Sequence, residues 1–223
     1  MLTLMNAPRW QLSPKTMPWL LFAVVVTVPS VAWLQTYNWE PVLTISAVFP
    51  LLGVLAWSIM WTHYAYSWMR LHYPEAYSAN ALYDKVSTWL VLGLILLHPG
   101  LLGWQQYRLF GVLPPDSFYT GIAENLEPFV AIGVFALVLF LIYEVVHRLR
   151  QKQSIRKIWG WISLSQLLAM VLIFVHGLQV GQIVLSGWMI GWWITLGVLL
   201  LPAFYSTAIN DWKVQQQASK IHP

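Results

Sequence analysis

Histidine is the residue type in this chain with the strongest capacity for metal chemistry, and six histidines occur among its 223 residues. The sequence contains no cysteine, which excludes disulfides, thiolate-held iron–sulfur clusters and a covalently attached c-type haem. Imidazole nitrogen is therefore the only strong nitrogen ligand available for a transition metal. Any metal chemistry must pass through these six side chains.

Two of the six lie inside long apolar runs. His98 stands near the middle of LVLGLILLHPGLLGW, and His176 stands in LLAMVLIFVHGL. An ionisable side chain in such a run is costly and usually functional. His98 precedes Pro99 and Gly100, and His176 precedes Gly177. These small or kink-forming residues would let a flat ligand approach the helix closely.

The composition shows which elements must hold these histidines. With 58% hydrophobic and only 9% charged residues, the chain is expected to be an all-α integral membrane protein in contact with the lipid bilayer. A span needs about 20 apolar residues. Six segments satisfy this length: Trp19 to Tyr37, Leu43 to Trp68, Ser87 to Tyr107, Phe129 to His147, Ile158 to Val184 and Trp188 to Ala208.

The basic residues predict the orientation of this six-helix bundle. For six spans, 11 of the 12 Lys and Arg residues fall on one side, and Arg108 is the exception. The positive-inside rule then places both termini in the cytoplasm. The predicted organisation is a cytoplasmic segment 1–18, a membrane domain 19–208 and a cytoplasmic tail 209–223. This topology explains the net charge of +4, so no nucleic-acid partner is expected.

His98 and His176 are expected at matched depth. Both lie on outward-running helices, eight or nine residues before the predicted outer end, which is roughly 12–14 Å at 1.5 Å per residue. Such a pair could hold one iron porphyrin from both faces as a six-coordinate b-type haem. The alternative is that each imidazole only hydrogen-bonds a neighbouring helix. The pair favours the haem interpretation, with His98 and His176 as cofactor-binding and metal-ligating residues.

The other four histidines are assigned by position. His222 lies in the polar tail and His72 in a loop, and His147 closes the fourth span beside Arg148. His63 lies near the cytoplasmic end of the second span, where a quinone or haem-propionate contact is a secondary hypothesis. Many Trp and Tyr residues near span ends, among them Trp33, Trp104 and Trp188, predict an interfacial aromatic belt.

Two segments resemble a known family. ALYDKVSTWLVLGLILLHPGLL (Ala81 to Leu102) is similar to the third helix of ferric reductase-like transmembrane domains, and KIWGWISLSQLLAMVLIFVHGL (Lys157 to Leu178) is similar to their fifth. This superfamily includes ferric reductases, NADPH oxidases and the small haem subunit of the periplasmic methionine sulfoxide reductase system. The resemblance implies a six-helix haem domain, here in a membrane-only form without flavin or nicotinamide domains.

The chain departs from this family at the inner haem. Members with two haems carry a second histidine 13 or 14 positions before each outer one. Here those positions hold Asp84 or Lys85 before His98, and Ser163 or Ile162 before His176. By resemblance, the outer haem site is kept and the inner site is lost, unless His63, His72 or His147 supplies a ligand. One haem b is expected.

These observations predict a membrane b-type cytochrome, a haem-dependent oxidoreductase in which no residue is assigned a catalytic role. The remaining haem would lie roughly 20 Å from the inner face, four turns of about 5.4 Å. A quinol, a bound flavin or a partner subunit is therefore the expected donor, and the acceptor would lie outside. The expected location is a bacterial-type inner membrane or an internal energy-converting membrane.

Two other classes remain open. A non-catalytic accessory or assembly subunit that has lost haem would explain the missing inner ligands. A transporter would need polar residues near the midplane and broken helices. Pro29 and Pro50 interrupt spans, but charge within the spans is nearly absent. Outside the spans, Asp116, Glu124 and Glu127 form an acidic loop, and Arg108 is a candidate counter-charge for a haem propionate.

Overall fold

The computed structural model describes residues 16–40, 42–74, 77 and 80–221, with the side chains of 218–221 left out. Its described residues form α-helices and two 3₁₀ turns, Asp116–Phe118 and Glu124–Leu126. The α-helices are α1 (Met17–Thr36), α2 (Ile45–His72), α3 (Ala81–Phe110), α4 (Glu127–Arg148), α5 (Gln153–Arg156), α6 (Trp159–Val180) and α7 (Met189–Ile221).

The six expected spans are confirmed as six helices long and apolar enough to cross a membrane. Even the shortest of them, α1 with 20 residues, is about 30 Å long at 1.5 Å per residue, which matches a hydrocarbon core of about 30 Å. Helices are the expected form of these runs, because lipid offers no partner to an unpaired backbone amide. The chain is therefore a multi-pass α-helical membrane protein.

Most boundaries differ by a few residues from the sequence prediction. His72, which was expected in a loop, is the last residue of α2. The last helix continues to Ile221, so the described part of the segment predicted as a tail from residue 209 extends α7. The fifth span ends at Val180 rather than Val184, because Gly181 adopts an extended backbone. The basic connection between α4 and α6 contains the single turn α5. The N-terminal segment 1–15 and His222 lie outside the described residues.

Short connections join consecutive long helices, which therefore alternate in direction. We call the end of the bundle with the 37–44, 111–126 and 181–188 connections the distal end, and the end with the 73–80 and 149–158 connections the terminal end. At the terminal end of α3, the side-chain oxygen of Asn80 accepts the Tyr83 N–H at 3.1 Å. At the distal end, Gly111 closes α3 with φ +69°, a left-handed conformation that suits glycine.

Two antiparallel helix pairs, α2 with α3 and α4 with α6, form the framework of the bundle. Helix α7 packs against both α2 and α6, and α1 packs against α2. Of the most apolar stretch of α2, 56% of residues are buried, against at most 28% for any other long helix. Helix α2 is therefore the central element.

Indole N–H groups connect α2 to its neighbours. Trp57 donates to the Met170 carbonyl at 3.1 Å, and Trp61 donates to the Leu196 carbonyl at 2.9 Å. Trp33 donates to the Ala47 carbonyl at 2.8 Å and is buried. Trp33 was expected in the interfacial belt, but its indole joins α1 to α2. Trp104 and Trp188 remain exposed near the distal end, as a belt requires.

The terminal half of the α2–α3 pair contains a hydrogen-bonded polar cluster. Tyr83 is fully buried, and its hydroxyl is hydrogen-bonded to the Thr62 hydroxyl. Thr62 also donates to the Ile59 carbonyl, and Ser87 donates to the Tyr83 carbonyl, both at 2.6 Å. These bonds satisfy hydroxyl groups that would otherwise be costly in an apolar interior.

Replacing Tyr83 with Phe is expected to lower the free energy of unfolding by about 0.6–1.5 kcal/mol, because the buried Thr62 hydroxyl on α2 loses its partner on α3. Tyr205→Phe is the matched control, since Tyr205 is 69% exposed on α7. Detergent-induced unfolding followed by circular dichroism measures both. Equal stability of the two variants would contradict the role assigned to the Tyr83 hydroxyl.

Candidate functional site

A cavity of about 250 Å³ lies in the distal half of the bundle and is lined by both His98 and His176. Residues from α2, α3, α4, α6 and α7 contribute to its walls, with Phe118 and Ile122 from the connection between α3 and α4. A single water needs about 10–15 Å³. The space is therefore far larger than a hydration site, and its walls are mostly apolar.

His98 is held by the backbone of α2. Its Nδ1 lies 2.6 Å from the carbonyl oxygen of Phe49. The ring lies against Gly53, one helical turn further along α2, so closely that a methyl group at Gly53 would lie 2.9 Å from His98 Cε1. The Phe49 ring is also near, with its centroid 5.6 Å from that of His98. The imidazole is therefore confined between a carbonyl and a glycine.

His176 is held by α4 in the same manner. Its Nδ1 lies 2.8 Å from the carbonyl oxygen of Phe129. The ring lies against Gly133, where a methyl group would lie 2.6 Å from His176 Nδ1. Each histidine thus uses a carbonyl and a glycine four residues apart on the partner helix of its own pair.

The hydrogen bonds determine the tautomer of both rings. A carbonyl oxygen can only accept, so Nδ1 carries the proton in each histidine. In the neutral imidazole, Nε2 is then the unprotonated nitrogen with a free lone pair. No hydrogen bond involves Nε2 of His98 or His176 among the described residues. In the neutral form, both rings can therefore bind a metal or accept a hydrogen bond through Nε2. A metal-ligating histidine commonly donates its other ring N–H to a backbone carbonyl, as these two do.

The donor set distinguishes between types of metal. Within the described residues, no group of three or more His, Cys, Asp or Glu side chains could hold a bare metal ion. Two imidazoles are too few for a structural or catalytic zinc site. A porphyrin supplies four nitrogens of its own, so two imidazoles complete a six-coordinate iron. The apolar walls and two free Nε2 atoms thus fit haem better than a bare cation.

The sequence predicts similar distances from His98 and His176 to the ends of their helices, and the observed helix ends give different distances. His98 lies twelve residues before the observed end of α3, about 18 Å, whereas His176 lies four residues before the end of α6, about 6 Å. Both rings nevertheless line one cavity, because α3 continues beyond the level at which α6 ends. Their shared cavity, rather than equal distance from the helix ends, is what brings them together.

Aromatic side chains form the side of the cavity that faces α7. Trp57 and Trp193 line the cavity, and their ring centroids lie 4.1 Å apart. Trp193 is stacked parallel to Phe174 at 6.0 Å and donates its indole N–H to the Phe174 carbonyl at 3.2 Å. Gly177 makes room for the Trp193 ring, since a methyl group there would lie 2.9 Å from it.

The other described histidines do not line this cavity. The His63 ring lies 5.6 Å from that of Tyr83. His72 is exposed, with its Nδ1 2.9 Å from the Trp68 carbonyl. The Nδ1 of His147 lies 3.4 Å from the Tyr143 hydroxyl. Arg108, the suggested counter-charge, does not line the cavity either. Besides the two histidines and the indoles, the polar residues that line the cavity include Gln182.

Sequence reasoning missed the residues that hold the two imidazoles. Phe49 and Phe129 act through backbone carbonyls, which any residue possesses. Gly53 and Gly133 could have been noticed, since FPLLG in α2 and FVAIG in α4 share a Phe-x-x-x-Gly pattern. Each Phe lies a similar distance before its histidine, 49 residues in one case and 47 in the other.

Compared with models of known protein families, with curated proteins and with solved structures, the chain matches none of them. The assignment of a function therefore depends on the geometry of the cavity.

Replacing Gly177 with Ala is expected to destabilise the protein by about 1–3 kcal/mol, because the new methyl group overlaps the buried Trp193 ring, which Trp57 prevents from moving away. Gly191→Ala on α7 is the control, since nothing lies within 4 Å of the position its methyl group would take. Thermal unfolding in detergent compares the two. A Gly177→Ala variant as stable as Gly191→Ala would show that Trp193 is loosely packed.

Proposed function

We propose that the protein is a membrane b-type cytochrome that carries electrons through one haem held by His98 and His176. The observation that supports this most strongly is the pair of imidazoles lining one apolar cavity, each with Nδ1–H bonded to a carbonyl and Nε2 left available. Histidine ligation on two helices of a bundle is an established way of holding haem. The resemblance to ferric reductase-like domains, which includes the same two histidines, implies the same function.

When bound, haem supplies reversible one-electron chemistry at iron. The chain's own groups supply ligation, orientation and a low-dielectric surrounding. His98 and His176 would hold the haem iron through their Nε2 atoms, and ligation by two histidines suits electron transfer rather than activation of a small ligand. The mostly apolar walls exclude water from the ligands. Among the described residues, no Lys or Arg side chain lines the cavity, so these residues would supply no counter-charge to the propionates there.

The residues of the terminal half support the proposal of one haem rather than two. The expected ligand position before His176 holds Ser163, whose hydroxyl donates to the Asp211 carboxylate at 2.5 Å. The two candidate positions before His98 hold Asp84 and Lys85, next to the fully buried Tyr83. His63 contacts that same tyrosine ring. Among the described residues, no histidine of the terminal half bonds a carbonyl of a partner helix, since the Nδ1–carbonyl contact of His72 lies within α2 itself.

The charge distribution supports an orientation of the bundle, from which a path for the electrons is inferred. The basic residues Arg70, Lys85, Arg148 and Lys157 lie at the terminal end of the bundle, which the positive-inside rule assigns to the cytoplasm. The haem would then lie in the outer half of the membrane. We infer a donor that reaches this half, namely a quinol, a bound flavin or a partner subunit, and an acceptor on the outer side.

The experiment that tests this function is a reduced-minus-oxidised spectrum of the purified protein, with haem quantified per chain. We expect about one b haem, lost in His98→Ala and His176→Ala because each variant removes one axial ligand. His72→Ala is the control, since His72 is exposed and distant in the chain from both carbonyl contacts.

The outcomes separate the alternatives. Full haem content in both cavity variants would overturn the ligand assignment. Two haems per chain would require a ligand in the terminal half. A wild-type protein without haem, produced with ample haem supply, would favour the accessory-subunit alternative, in which the scaffold is kept and the cofactor is absent.

The orientation can be tested because the chain contains no cysteine, so a single introduced cysteine is a unique label. Asp116→Cys places it in the distal connection and Gln151→Cys in the terminal connection, where both positions are exposed. In intact cells, a membrane-impermeant thiol reagent is expected to label the first and not the second. Labelling of Gln151→Cys alone would reverse the orientation and place the haem near the cytoplasm.

A further inference from the structure

Gly53 and Gly133 differ from the other tightly packed glycines in what they contact. For each, the three atoms nearest to the position of an added methyl group all belong to one histidine ring, His98 for Gly53 and His176 for Gly133. Gly177 and Gly197, by comparison, face the aromatic rings of Trp193 and Phe174. These two glycines therefore make room for the imidazoles themselves.

The position of each glycine is tied to the hydrogen bond that holds its histidine. Gly53 lies four residues after Phe49, and Gly133 four residues after Phe129, so each glycine and the residue with the accepting carbonyl share one face of the helix. An imidazole can reach the carbonyl at 2.6 or 2.8 Å only by lying against the helix surface one turn along. A Cβ atom at that point would lie 2.9 Å from His98 or 2.6 Å from His176, closer than two such atoms can approach.

The arrangement occurs twice, once in each antiparallel helix pair. Helix α2 presents Phe49 and Gly53 to a histidine of α3, and α4 presents Phe129 and Gly133 to a histidine of α6. A glycine needed only for close helix packing would have no reason to recur opposite each histidine of a shared cavity. The recurrence connects the glycines with the ligands.

We propose that Gly53 and Gly133 are positioning residues for the two axial ligands. Each lets its histidine dock on the neighbouring helix, keeps Nδ1–H on the carbonyl and thereby directs Nε2 at the iron. Loss of either glycine forces the imidazole away from its carbonyl and weakens one axial bond. This inference rests on the proposed haem function and adds the residues that determine the coordination.

The test compares Gly53→Ala and Gly133→Ala with Gly93→Ala and Gly191→Ala. The two controls are also helical glycines, and nothing lies within 4 Å of their added methyl groups. Haem per chain, carbon monoxide binding by the reduced protein, electron paramagnetic resonance and the midpoint potential are measured. A displaced axial ligand opens a coordination position, so carbon monoxide binding reports it directly.

We expect both test variants to lose haem or to acquire a fraction that binds carbon monoxide, with a shifted midpoint potential. The effect should be larger in Gly133→Ala, where the overlap with the imidazole is more severe. The controls should keep the wild-type spectrum. Wild-type spectra and potentials in both test variants, in a protein whose wild type contains haem, would overturn this inference and leave the proposed function intact. Absence of haem from the wild type would overturn the proposed function itself.

A purely structural role is distinguished with protein produced under haem depletion. Without haem, a displaced imidazole can rotate into the cavity, so the thermal midpoints of the test variants should remain close to those of the controls. A clear drop of these midpoints, or failure of a test variant to accumulate at all, would place the glycine in helix packing and overturn its role as a positioning residue.

Discussion

A neutral imidazole carries one donor and one acceptor, and for both histidines of the cavity only the donor has a protein partner. His98 and His176 each give Nδ1–H to a backbone carbonyl, whereas their Nε2 atoms find no hydrogen-bond donor among the described residues. Both side chains are half-buried in the wall of one mostly apolar cavity. The hydrogen bonds of the fold therefore use one nitrogen of each ring and leave the other available to a ligand. The architecture around the cavity is arranged to hold these two nitrogens and to keep other polar groups away.

The two helix pairs hold their histidines in the same way. A helical carbonyl already accepts a bond from the amide four residues later, yet it has a second lone pair. Phe49 and Phe129 offer that lone pair to a histidine on the partner helix, and the amide four residues on belongs to a glycine in both cases. The absence of a side chain at Gly53 and Gly133 leaves the carbonyl accessible from that direction. Helix packing in lipid depends on small residues for close approach, and here the approaching group is an imidazole.

The sequence predicts the elements of this structure better than their contacts. Span number followed from apolar run length, because lipid leaves helices as the form available to such segments. The end of α6 was missed, since the apolar run passes Gly181 without a change in composition. His98 and His176 were identifiable because ionisable residues are rare in spans. Their partners are main-chain atoms, which leave no trace in residue identity. Trp33 and Trp57 show the same limit, since an indole suited to the interface is equally suited to donate to a carbonyl of another helix.

The two halves of the bundle are unlike each other, and the difference bears on how electrons could enter. The distal half contains a mostly apolar cavity lined by two histidines whose Nε2 atoms have no hydrogen bond. The terminal half instead contains the hydroxyl groups of Tyr83, Thr62 and Ser87, which are hydrogen-bonded to each other or to backbone carbonyls. Under the proposed function, a donor at the terminal face would face about four helical turns of such packing, roughly 20 Å, before the haem. A donor dissolved in the membrane or docked near the distal end meets no such separation. Under that proposal, this packing favours entry from the lipid phase or from a partner subunit over direct entry at the terminal face.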